Sequence, residues 1–373
     1  MLKTDIVIIG GGVISLALAY FLIEQKYSVI ILEKEKKIFE GASNFYSNSS
    51  VIHAGIYYEP NSLKSKLCIR GKQLIYRFCD KLKIRYNKCG KIILAQNKKD
   101  YFKLDKCMER ALKNGLEDLR ELNQNQIQKI EPNLRGFAGL LSPSSGVLDI
   151  KSYKDVLENI ILSKGAKIIT SFEFKKAIKK GNVWEISENK NNSKIISKLI
   201  INSAGRFSSQ ISKKIFPKEE NSVSAPVKGL YLIYKKKHPL NKIIYPALEP
   251  GVITERADTT PMISGKLLFG PTIEKKNIST KNKKYFKNLA TRYTSLIKNY
   301  LPNLNEKYIS FYSYGLRPKI KIKNKNYNDF FINFKISKRW IDLCGIESPG
   351  LTSNLSIGEY VSKKIKETYG KNI

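Results

Sequence analysis

The sequence has few of the residues from which metal sites and disulfide frameworks are built. It contains five cysteines and only two histidines among 373 residues. The cysteines form no C-x-x-C pair, and no histidine lies at metal-ligand spacing from them, so the common zinc motifs are excluded. Their scattered spacing also gives no disulfide framework. We therefore expect reduced thiols, no bound metal and an intracellular location.

Long hydrophobic runs are also scarce. The one apolar stretch that approaches the length of a membrane span, Ile6–Leu22, is interrupted by three consecutive glycines and is followed directly by the apolar run Val29–Leu32. These features are typical of a strand, a tight turn and a helix rather than of a signal peptide. We expect a cytoplasmic protein, with weak peripheral attachment to the inner face of the membrane as the alternative.

Acidic residues are outnumbered by basic ones, 32 to 67, which gives a formal net charge of +35. Such a charge raises the question of nucleic-acid binding, because clustered cations bind phosphates strongly. The lysines, however, lie in short runs spread over the chain next to Asn and Ile. A compositional bias explains this distribution, so nucleic acid is not expected as a partner. A protein that acts on RNA is kept as an alternative.

The first 33 residues have the pattern of a βαβ unit. Asp5–Ile9 predicts a buried strand, Val13–Lys26 a helix and Ser28–Leu32 a second strand. Between the first strand and the helix lies G-x-G-x-x-S, formed by Gly10, Gly12 and Ser15.

Each part of this motif has a role in holding a dinucleotide. Gly10 permits the tight turn, and Gly12 lets a pyrophosphate approach the N-terminus of the helix. Glu33, at the end of the second strand, can accept hydrogen bonds from ribose hydroxyls. Ser15 stands where a third glycine is usual and is small enough to replace it. This end of the chain does not distinguish FAD from NAD.

The remainder of the chain predicts two kinds of sheet. A helical stretch is expected over Lys98–Leu122, and short strands bounded by Gly, Pro and Asn follow Pro217, as in an antiparallel sheet. The strand Trp340–Cys344 and the helix Ser353–Tyr369 then restore the first pattern. We predict an α/β (α+β) fold with a Rossmann-like, discontinuous nucleotide domain at 1–90, 145–215 and 335–373. A substrate domain with a mixed or antiparallel sheet is inserted at 91–144 and 216–334.

A second glycine-containing turn lies between this last strand and helix. Gly345, Gly350, Leu351 and Thr352 place backbone N–H groups at a helix N-terminus, where they can face the N1 and O2 region of a reduced flavin. A plain connection between strand and helix is the alternative. Together with the first turn, this one favours FAD over NAD.

Several strings occur in an order that resembles a known family. The chain resembles the L-2-hydroxyglutarate dehydrogenase/oxidase branch of the D-amino-acid-oxidase-like FAD enzymes, with markers spanning residues 10 to 353. The most specific are V-I-H-A-G-I-Y-Y at 51–58 and G-I-E-S-P-G-L-T at 345–352. The others are Leu67–Gly71, Cys89–Lys91, Asn202–Gly205, Gly270–Thr272 and Gly315–Lys319.

The resemblance implies a Rossmann-like FAD-binding domain with non-covalent FAD, and oxidation of a C–OH group by hydride transfer to flavin N5. A 2-hydroxy acid is the implied substrate, with L-2-hydroxyglutarate favoured, and oxygen or a quinone is the implied electron acceptor. An amino-acid oxidase or a glycerol-3-phosphate dehydrogenase of the same fold is the alternative. Further FAD contacts are expected at Ser49, Ser50, Ala204 and Gly205.

Within these strings, His53 is the candidate for the group that takes the hydroxyl proton, since an imidazole can hold a proton near neutral pH. A contact with flavin or a structural role is its alternative. Arg317 is the candidate carboxylate clamp, because a guanidinium binds a carboxylate with two hydrogen bonds; a fold-stabilising ion pair is its alternative. Additional substrate contacts are expected from Tyr57, Tyr58 and Arg70, and Lys319 is a further candidate cation.

Some positions depart from the family pattern. Ser50 stands where glycine is usual, Arg206 where an apolar residue is usual, and Ile253 where many relatives have histidine. The last lies in the predicted substrate domain, so it bears on the identity of the substrate more than on the cofactor.

Overall fold

The computed structural model describes residues 2–41, 44–189, 193–219, 222–238, 240–249, 257–273 and 283–370. The helices are α1 Val13–Glu24, α2 Leu63–Leu82, α3 Tyr101–Lys113, α4 Gln124–Ile130, α5 Ile150–Ser163, α6 Ser208–Ile215, α7 Lys283–Lys298 and α8 Gly350–Tyr369. The strands of the first half are β1 Leu2–Ile9, β2 Val29–Leu32, β3 Val51–Ile52, β4 Tyr86–Asn87, β5 Lys91–Ala95, β6 Arg120–Asn123, β7 Ala138–Ser142, β8 Gly146–Leu148, β9 Lys167–Ile169, β10 Phe174–Lys180 and β11 Val183–Glu188. Those of the second half are β12 Lys194–Asn202, β13 Val223–Ser224, β14 Val227–Tyr234, β15 Ile243–Pro246, β16 Thr259–Pro261, β17 Leu267–Phe269, β18 Ile309–Arg317, β19 Ile320–Ile322, β20 Lys325–Tyr327, β21 Phe331–Ser337 and β22 Trp340–Cys344.

The first sheet has a parallel centre in the order β9-β2-β1-β12-β22, with β10, β11 and β21 added antiparallel at its margins. Its central strands are apolar on both faces; Ile6, Val7 and Ile8 are fully buried. Such continuous burial is expected of a parallel sheet covered on both sides. The chain moves from β1 to β2 on one side and returns to β12 on the other, so the carboxyl end of β1 is the switch point where ligands bind in such sheets.

One face of this sheet is covered by helices that approach one another closely. Helix α8 packs against both α1 and α2. At Gly358, an added Cβ would lie 2.7 Å from the carbonyl oxygen of Ala17, and at Gly71 it would lie 2.2 Å from that of Thr352. Both glycines are therefore needed for backbones to pass at these distances. The start of α8 is fixed against α2, and its middle against α1.

The second sheet runs in the order β18-β14-β17-β16-β15-β5-β7-β6. Its neighbours are antiparallel except for β15 and β5. Helix α7 covers it and buries Tyr293 and Ile297 completely. The strands of this sheet come from 91–142 and 227–317, so the chain leaves the first sheet twice to build the second.

The predicted α/β class is confirmed by this pair of sheets, while the domain boundaries stay a prediction. The helix expected over Lys98–Leu122 is wrong in its second half, because α3 ends at Lys113 and β6 begins at Arg120. Gly115 lies between them with a φ of +76°, a conformation that ends a helix. Helix α8 begins at Gly350, three residues before the predicted start. The departure at Ile253 lies outside the described residues.

Within the described ranges, no helix combines the length and the apolar character needed to cross a membrane.

Candidate active site

A cleft of about 670 Å³ lies between the carboxyl ends of the parallel strands and the second sheet. The ends of β1, β2 and β12 contribute Gly10, Glu33 and Ser203, and the second sheet contributes Tyr245 and Arg317. The cleft therefore follows from topology, since parallel strands present all their carboxyl ends at the same edge.

The first glycine turn forms one wall of the cleft. Gly10 has a φ of +101°, and a Cβ there would lie 2.6 Å from the Ser203 carbonyl oxygen. Gly12 has an ordinary extended backbone and begins α1 without a side-chain cap among the described residues. No described atom lies within 4 Å of the place where its Cβ would stand. Gly10 is thus required by the fold, whereas Gly12 leaves open space beside free helix N–H groups.

The carboxylate of Glu33 is held by the backbone. Its Oε2 accepts a hydrogen bond from the N–H of Gly11 at 2.6 Å, and its Oε1 accepts one from the N–H of Glu35 at 2.9 Å. Glu33 lines the cleft beside the glycine turn. Both carboxylate oxygens are fixed in direction, so their remaining lone pairs can accept hydrogen bonds from ligand hydroxyls.

The second turn forms the opposite end of the cleft, where Gly350 and Leu351 line it. Helix α8 begins there, also without a side-chain cap in the described chain. The Thr352 hydroxyl donates to the Val51 carbonyl at 3.3 Å and accepts from the His53 N–H at 3.0 Å. This threonine therefore joins the start of α8 to the segment that carries His53.

A buried ion triad stabilises the second turn. Glu347 lines the cleft and accepts hydrogen bonds from Lys64 Nζ at 2.9 Å and from Lys319 Nζ at 3.0 Å. Burial raises the pKa of the Glu347 carboxyl, but Lys64 and then Lys319 lower it by more, so the pKa lies below its usual value. Lys319 is thus engaged with Glu347 and does not line the cleft.

His53 follows β3 and lines the cleft, and both of its ring nitrogens have polar neighbours. Nδ1 lies 3.5 Å from Lys91 Nζ, and Nε2 lies 3.4 Å from Ser348 Oγ. The His53 carbonyl accepts a hydrogen bond from Cys68 Sγ at 3.5 Å. The imidazole therefore bridges strand β5 and the second glycine turn.

Arg317, the last residue of β18, lines the cleft on the side of the second sheet. Its Nη1 donates to the Thr272 carbonyl oxygen at 3.3 Å. Gly229 lies beside the guanidinium, since Nη2 is 3.4 Å from where a Cβ of this glycine would stand. Within the described residues, Arg317 forms no ion pair with a carboxylate. It therefore has donors left for an anion.

Two buried polar residues, Tyr231 and Asp258, line the cleft near Arg317. Burial raises the pKa of the Tyr231 hydroxyl to about 12; Arg317 opposes this shift and Asp258 adds to it. Tyr231 therefore stays protonated at physiological pH and can donate a hydrogen bond within the cleft.

Three expected substrate contacts are not among the residues that line the cleft. Arg70 forms a two-bond ion pair with Glu359 of α8, with Nε to Oε2 at 2.9 Å and Nη2 to Oε1 at 2.7 Å. Tyr57 lies beneath Lys91, 6.0 Å from the ammonium nitrogen to the ring centroid. The Tyr58 hydroxyl is hydrogen-bonded to Ser348, and burial holds its pKa well above the ordinary value. Arg70 joins two helices, while the tyrosines lie behind the cleft wall.

Some expected cofactor contacts support the cleft from behind rather than line it. Ser15 is fully buried in α1, and Thr352 is fully buried at the start of α8. Ser50 has a φ of +58°, a conformation that favours glycine and explains why glycine is usual there. Gly345 turns the chain after β22 with a φ of +66°. The remaining expected cofactor contacts all line the cleft. They are Gly10, Gly12, Glu33, Ser49, Ala204, Gly205, Gly350 and Leu351.

The sequence interpretation missed Lys91, Glu347, Tyr231 and Asp258 as site residues. Lys91 carried a signal, because a lysine at the start of the apolar strand Lys91–Ala95 is out of keeping with its neighbours. Tyr231 and Asp258 lie in segments whose approach to the cleft depends on the tertiary fold, whereas Glu347 lies within the predicted flavin turn but was given no role there.

The arrangement fits a long dinucleotide. Two uncapped helix N-termini, those of α1 and α8, meet the same cleft, and each favours negative charge. Between them lie the open space beside Gly12 and the fixed carboxylate of Glu33. The described part of the chain has no group of three or more His, Cys, Asp or Glu side chains that could hold a metal ion.

Comparison with known proteins agrees with this arrangement. The family model described as "FAD dependent oxidoreductase" matches residues 5–364. The mitochondrial L-2-hydroxyglutarate dehydrogenase of Arabidopsis thaliana is 29% identical over 97% of this chain and 83% of the plant protein. That of Nematostella vectensis is 34% identical over 72% of this chain and 61% of its own length. The L-2-hydroxyglutarate dehydrogenase of Salmonella houtenae is 28% identical, covering 97% and 93%.

Solved structures share the fold. An L-α-glycerophosphate oxidase of Mycoplasma pneumoniae with FAD bound superposes with a TM-score of 0.83 at 26% identity, covering 96% of this chain and 94% of that one. A glycine oxidase of Geobacillus kaustophilus gives a TM-score of 0.79 at 16% identity, covering 98% and 95%. The predicted cofactor is confirmed as FAD, and the chain belongs to the family of FAD-dependent oxidoreductases.

Proposed function

We propose that the protein oxidises a 2-hydroxy acid, with L-2-hydroxyglutarate as the favoured substrate and 2-oxoglutarate as its product. The observation that carries the proposal is Arg317, a guanidinium that lines the cleft and has no carboxylate partner among the described residues. A carboxylate satisfies such a group with two hydrogen bonds. The names of the relatives, which include bacterial proteins aligned over most of this chain, support the choice of substrate.

In this proposal each residue of the cleft has a separate role. Arg317 holds the substrate carboxylate, and His53 receives the proton of the hydroxyl group at Nε2. FAD, when bound, supplies the acceptor for the hydride that leaves the same carbon. Gly12 and the N-terminus of α1 would hold its pyrophosphate, Glu33 would accept hydrogen bonds from its ribose, and the N-terminus of α8 would stabilise negative charge on the pyrimidine side of the flavin.

The electron acceptor and the location are parts of the same proposal. We take oxygen or a quinone as the acceptor, in a cytoplasmic protein, with weak attachment to the inner face of the membrane in the quinone case. Reoxidation of the reduced protein by oxygen and by a soluble quinone, followed at the flavin absorbance band, distinguishes the two acceptors.

The test is anaerobic mixing with a panel of substrates while flavin absorbance is followed. L-2-Hydroxyglutarate is expected to bleach the flavin faster than D-2-hydroxyglutarate, L-lactate, glycine or L-proline. Bleaching by an amino acid with none by L-2-hydroxyglutarate would contradict the proposal. Denaturation should release the flavin, because binding is proposed to be non-covalent.

A second candidate substrate is glycerol 3-phosphate. It is favoured by the likeness to the L-α-glycerophosphate oxidase, at 26% identity over 96% of this chain. A guanidinium binds a phosphate as readily as a carboxylate, so Arg317 does not decide between them. Glycerol 3-phosphate therefore belongs in the same panel, and bleaching by it alone would select this alternative.

A role in acting on RNA is the proposal from another class, motivated by the net charge of +35. Binding to tRNA that weakens steeply with salt would favour it. Weak binding at physiological salt would leave the charge as a feature of composition.

A further inference from the structure

Arg206, one of the departures from the family pattern, lines the cleft at the end where the first glycine turn lies. A Cβ on Gly10 would lie 3.0 Å from Cα of Ala204, two residues before Arg206. The segment 204–207 therefore passes beside the turn that begins α1. Arg206 is brought in this way to the part of the cleft where the pyrophosphate is proposed to bind.

The turn that carries Arg206 is held by hydrogen bonds on both sides. Gly205 has a φ of +56° and turns the chain after β12. The Ser208 hydroxyl donates to the carbonyl oxygen of Gly205 at 2.7 Å, and the Ser224 hydroxyl donates to that of Arg206 at 3.0 Å. The backbone of Arg206 is therefore fixed without a ligand, which lowers the entropy that is lost when one binds.

An aromatic ring orients the guanidinium of Arg206. Its Cζ lies 4.1 Å from the ring centroid of Phe207, and Lys34 Nζ lies 4.3 Å from the same centroid. A guanidinium that stacks on such a ring is held by cation–π attraction, while the N–H groups at its edge stay available to acceptors. One ring thus brings together a cation that follows β2 and a cation that follows β12.

Arg206 has a donor for which the described residues supply no acceptor. Its Nε is shielded from solvent and makes no hydrogen bond to them. Within the same residues, no carboxylate forms an ion pair with Arg206, whereas Lys34 is paired with Glu35 at 3.2 Å on the surface. Shielded donors without an acceptor are rare in folded proteins. An anion in the cleft would supply one.

The charges at this end of the cleft also favour an anion. Lys34, Arg206 and Lys214 line it together with Glu33 and Glu173. Both carboxylate oxygens of Glu33 already accept hydrogen bonds from backbone N–H groups. The N-terminus of α1 adds positive partial charge. The cleft is therefore positive where Arg206 enters it.

We propose that Arg206 binds a phosphate group of FAD and so adds a side-chain cation to the backbone N–H groups of the first glycine turn. A guanidinium binds phosphate oxygens with two parallel hydrogen bonds. FAD is the cofactor of the family to which the chain belongs. The position of its pyrophosphate beside Gly12 is part of the proposed function, and the inference rests on that part.

The first test measures FAD affinity by fluorescence titration of the stripped, full-length protein. Arg206→Leu removes the guanidinium but keeps an apolar side chain beside Phe207, and it is expected to weaken FAD binding by about tenfold or more. Arg206→Lys keeps the charge without the planar pair of donors, so its affinity should lie between those of Arg206→Leu and the wild type. The matched control is Lys213→Leu, because Lys213 is an exposed residue of α6 that is not among those lining the cleft. It is expected to retain the wild-type affinity.

The salt dependence of the same titration shows whether a contact between charges has been lost. Salt screens the attraction between a cation and a phosphate. The dissociation constant of FAD should therefore rise more steeply with salt in the wild type than in Arg206→Leu, while Lys213→Leu should follow the wild type. Equal salt dependence in the wild type and Arg206→Leu would contradict a contact with phosphate.

The second test observes the phosphate groups in the FAD-loaded protein. The two phosphorus atoms of bound FAD are chemically distinct and give separate ³¹P resonances. Arg206→Lys is expected to shift at least one of them without moving the flavin absorbance band, and Lys213→Leu should shift neither. Thermal unfolding of the FAD-free variants controls for damage to the fold. If Arg206→Leu proves unstable, the ³¹P spectrum of Arg206→Lys decides, and unchanged resonances there would overturn the proposal.

The outcomes separate this inference from the proposed function. If Arg206→Leu binds FAD as the wild type does and Gly12→Ala binds it weakly, only the role of Arg206 fails. If Gly12→Ala has the wild-type affinity and Arg206→Leu binds weakly, the role of Arg206 stands and the proposed position of the pyrophosphate beside Gly12 fails. If no 2-hydroxy acid reduces the bound flavin, the proposed substrate fails, and the affinities that test Arg206 are unaffected.

Discussion

Glu33 accepts a hydrogen bond from the backbone N–H of Gly11 at 2.6 Å. This contact joins the residue after β2 to the turn after β1, so the carboxylate proposed for the ribose and the turn proposed for the pyrophosphate are held in one unit. A Cβ on Gly11 would lie 2.9 Å from Glu33 Oε2. The same Cβ would lie 2.7 Å from Ile38 Cγ2, so a side chain at the middle position of the turn would displace both Ile38 and the carboxylate, although the motif itself leaves that position free.

Gly12→Ala and Gly10→Ala are expected to separate cofactor binding from folding. Gly12 has a φ of −83° and open space around the position of a Cβ, so alanine should leave the cofactor-free protein as stable as the wild type. The added methyl group would occupy space proposed for the pyrophosphate, and we expect FAD affinity to fall about tenfold, or about 1.4 kcal/mol. Fluorescence titration of FAD into the stripped protein measures this.

Gly10→Ala is the contrasting variant. Its φ of +101° and the Ser203 carbonyl oxygen 2.6 Å from the new Cβ should strain the backbone and lower the free energy of unfolding by about 1–3 kcal/mol. Equal FAD affinity in Gly12→Ala and the wild type would show that the pyrophosphate does not approach Gly12.

Arg317→Ala is expected to weaken substrate binding more than it slows flavin reduction. Loss of a charged hydrogen-bonding partner costs about 1.5–3 kcal/mol, which corresponds to a 10- to 150-fold rise in the apparent dissociation constant. Rapid mixing over a range of substrate concentrations gives the constant and the limiting rate separately. Arg70→Ala is the control, because Arg70 is paired with Glu359 between helices. If Arg317→Ala bound the substrate with the wild-type dissociation constant, Arg317 would not be the residue that binds the carboxylate.

Arg70 and Arg317 show how much of the candidate site could be predicted from the sequence alone. Gly10, Gly12 and Glu33 are close in the chain, so local spacing was enough to predict that they share a turn. Arg70 and Arg317 occur in equally specific strings, yet only one lines the cleft. Which cation meets a ligand depends on the partner that another element provides, here Glu359 of α8, and no local pattern records that pairing.

Glu347→Gln is expected to change how stability depends on pH. The pKa of Glu347 is held below its usual value of 4.5 by Lys64 and Lys319 against the effect of burial. The ionised carboxylate of Glu347 therefore contributes fully to the free energy of unfolding above about pH 4.5. This contribution is lost as the pH falls through the lower pKa of the folded state. In Glu347→Gln this part of the acid-induced decline should be absent.

At pH 7 the same variant should be less stable than the wild type by about 3 kcal/mol, because buried Lys64 and half-buried Lys319 lose their carboxylate. Thermal unfolding of the FAD-free protein from pH 3 to 8 measures both effects. Glu367→Gln, on the exposed surface of α8, is the control and should follow the wild-type curve. If Glu347→Gln lost as much thermal stability at low pH as the wild type, the role given to the Glu347 carboxylate would be contradicted.

The dependence of stability on pH that we expect from Asp342 is opposite to that from Glu347. Its carboxylate accepts hydrogen bonds from Asn202 Nδ2, Trp340 Nε1 and Ser212 Oγ. Burial nevertheless raises its pKa above the usual value. The neutral form is favoured in the folded state, so stability is expected to fall as the pH rises through the raised pKa. Asp342→Asn should remove that fall and be at least as stable as the wild type at pH 8.

Asp342→Leu is the informative comparison for the same network. It removes the acceptor of three buried hydrogen bonds, those from Asn202, Trp340 and Ser212, at about 1–3 kcal/mol each. Thermal unfolding of both variants at pH 5 and pH 8 tests the pair. Equal destabilisation by asparagine and leucine would show that the charge of Asp342, rather than its hydrogen bonds, matters.

The thiols should be unreactive in the native protein. All five cysteines are buried thiols, and burial raises the pKa of Cys68 and of Cys79 to about 12 and that of Cys344 to about 11. The thiolate is the reactive form, so a thiol reagent at pH 8 should modify the protein only as fast as it unfolds. Rapid modification of one cysteine in the folded protein would contradict this.

The position of α8 in the chain bears on how the protein is made. The turn proposed for the flavin and the helix that fixes it belong to residues 345–369, and β22 must first join the sheet beside β12. During synthesis, the dinucleotide turn at Gly10 leaves the ribosome more than 300 residues earlier. A nascent chain can therefore complete the cofactor site only after β22 and α8 have emerged, so the first glycine turn must wait for more than 300 further residues before it can share in a complete FAD site.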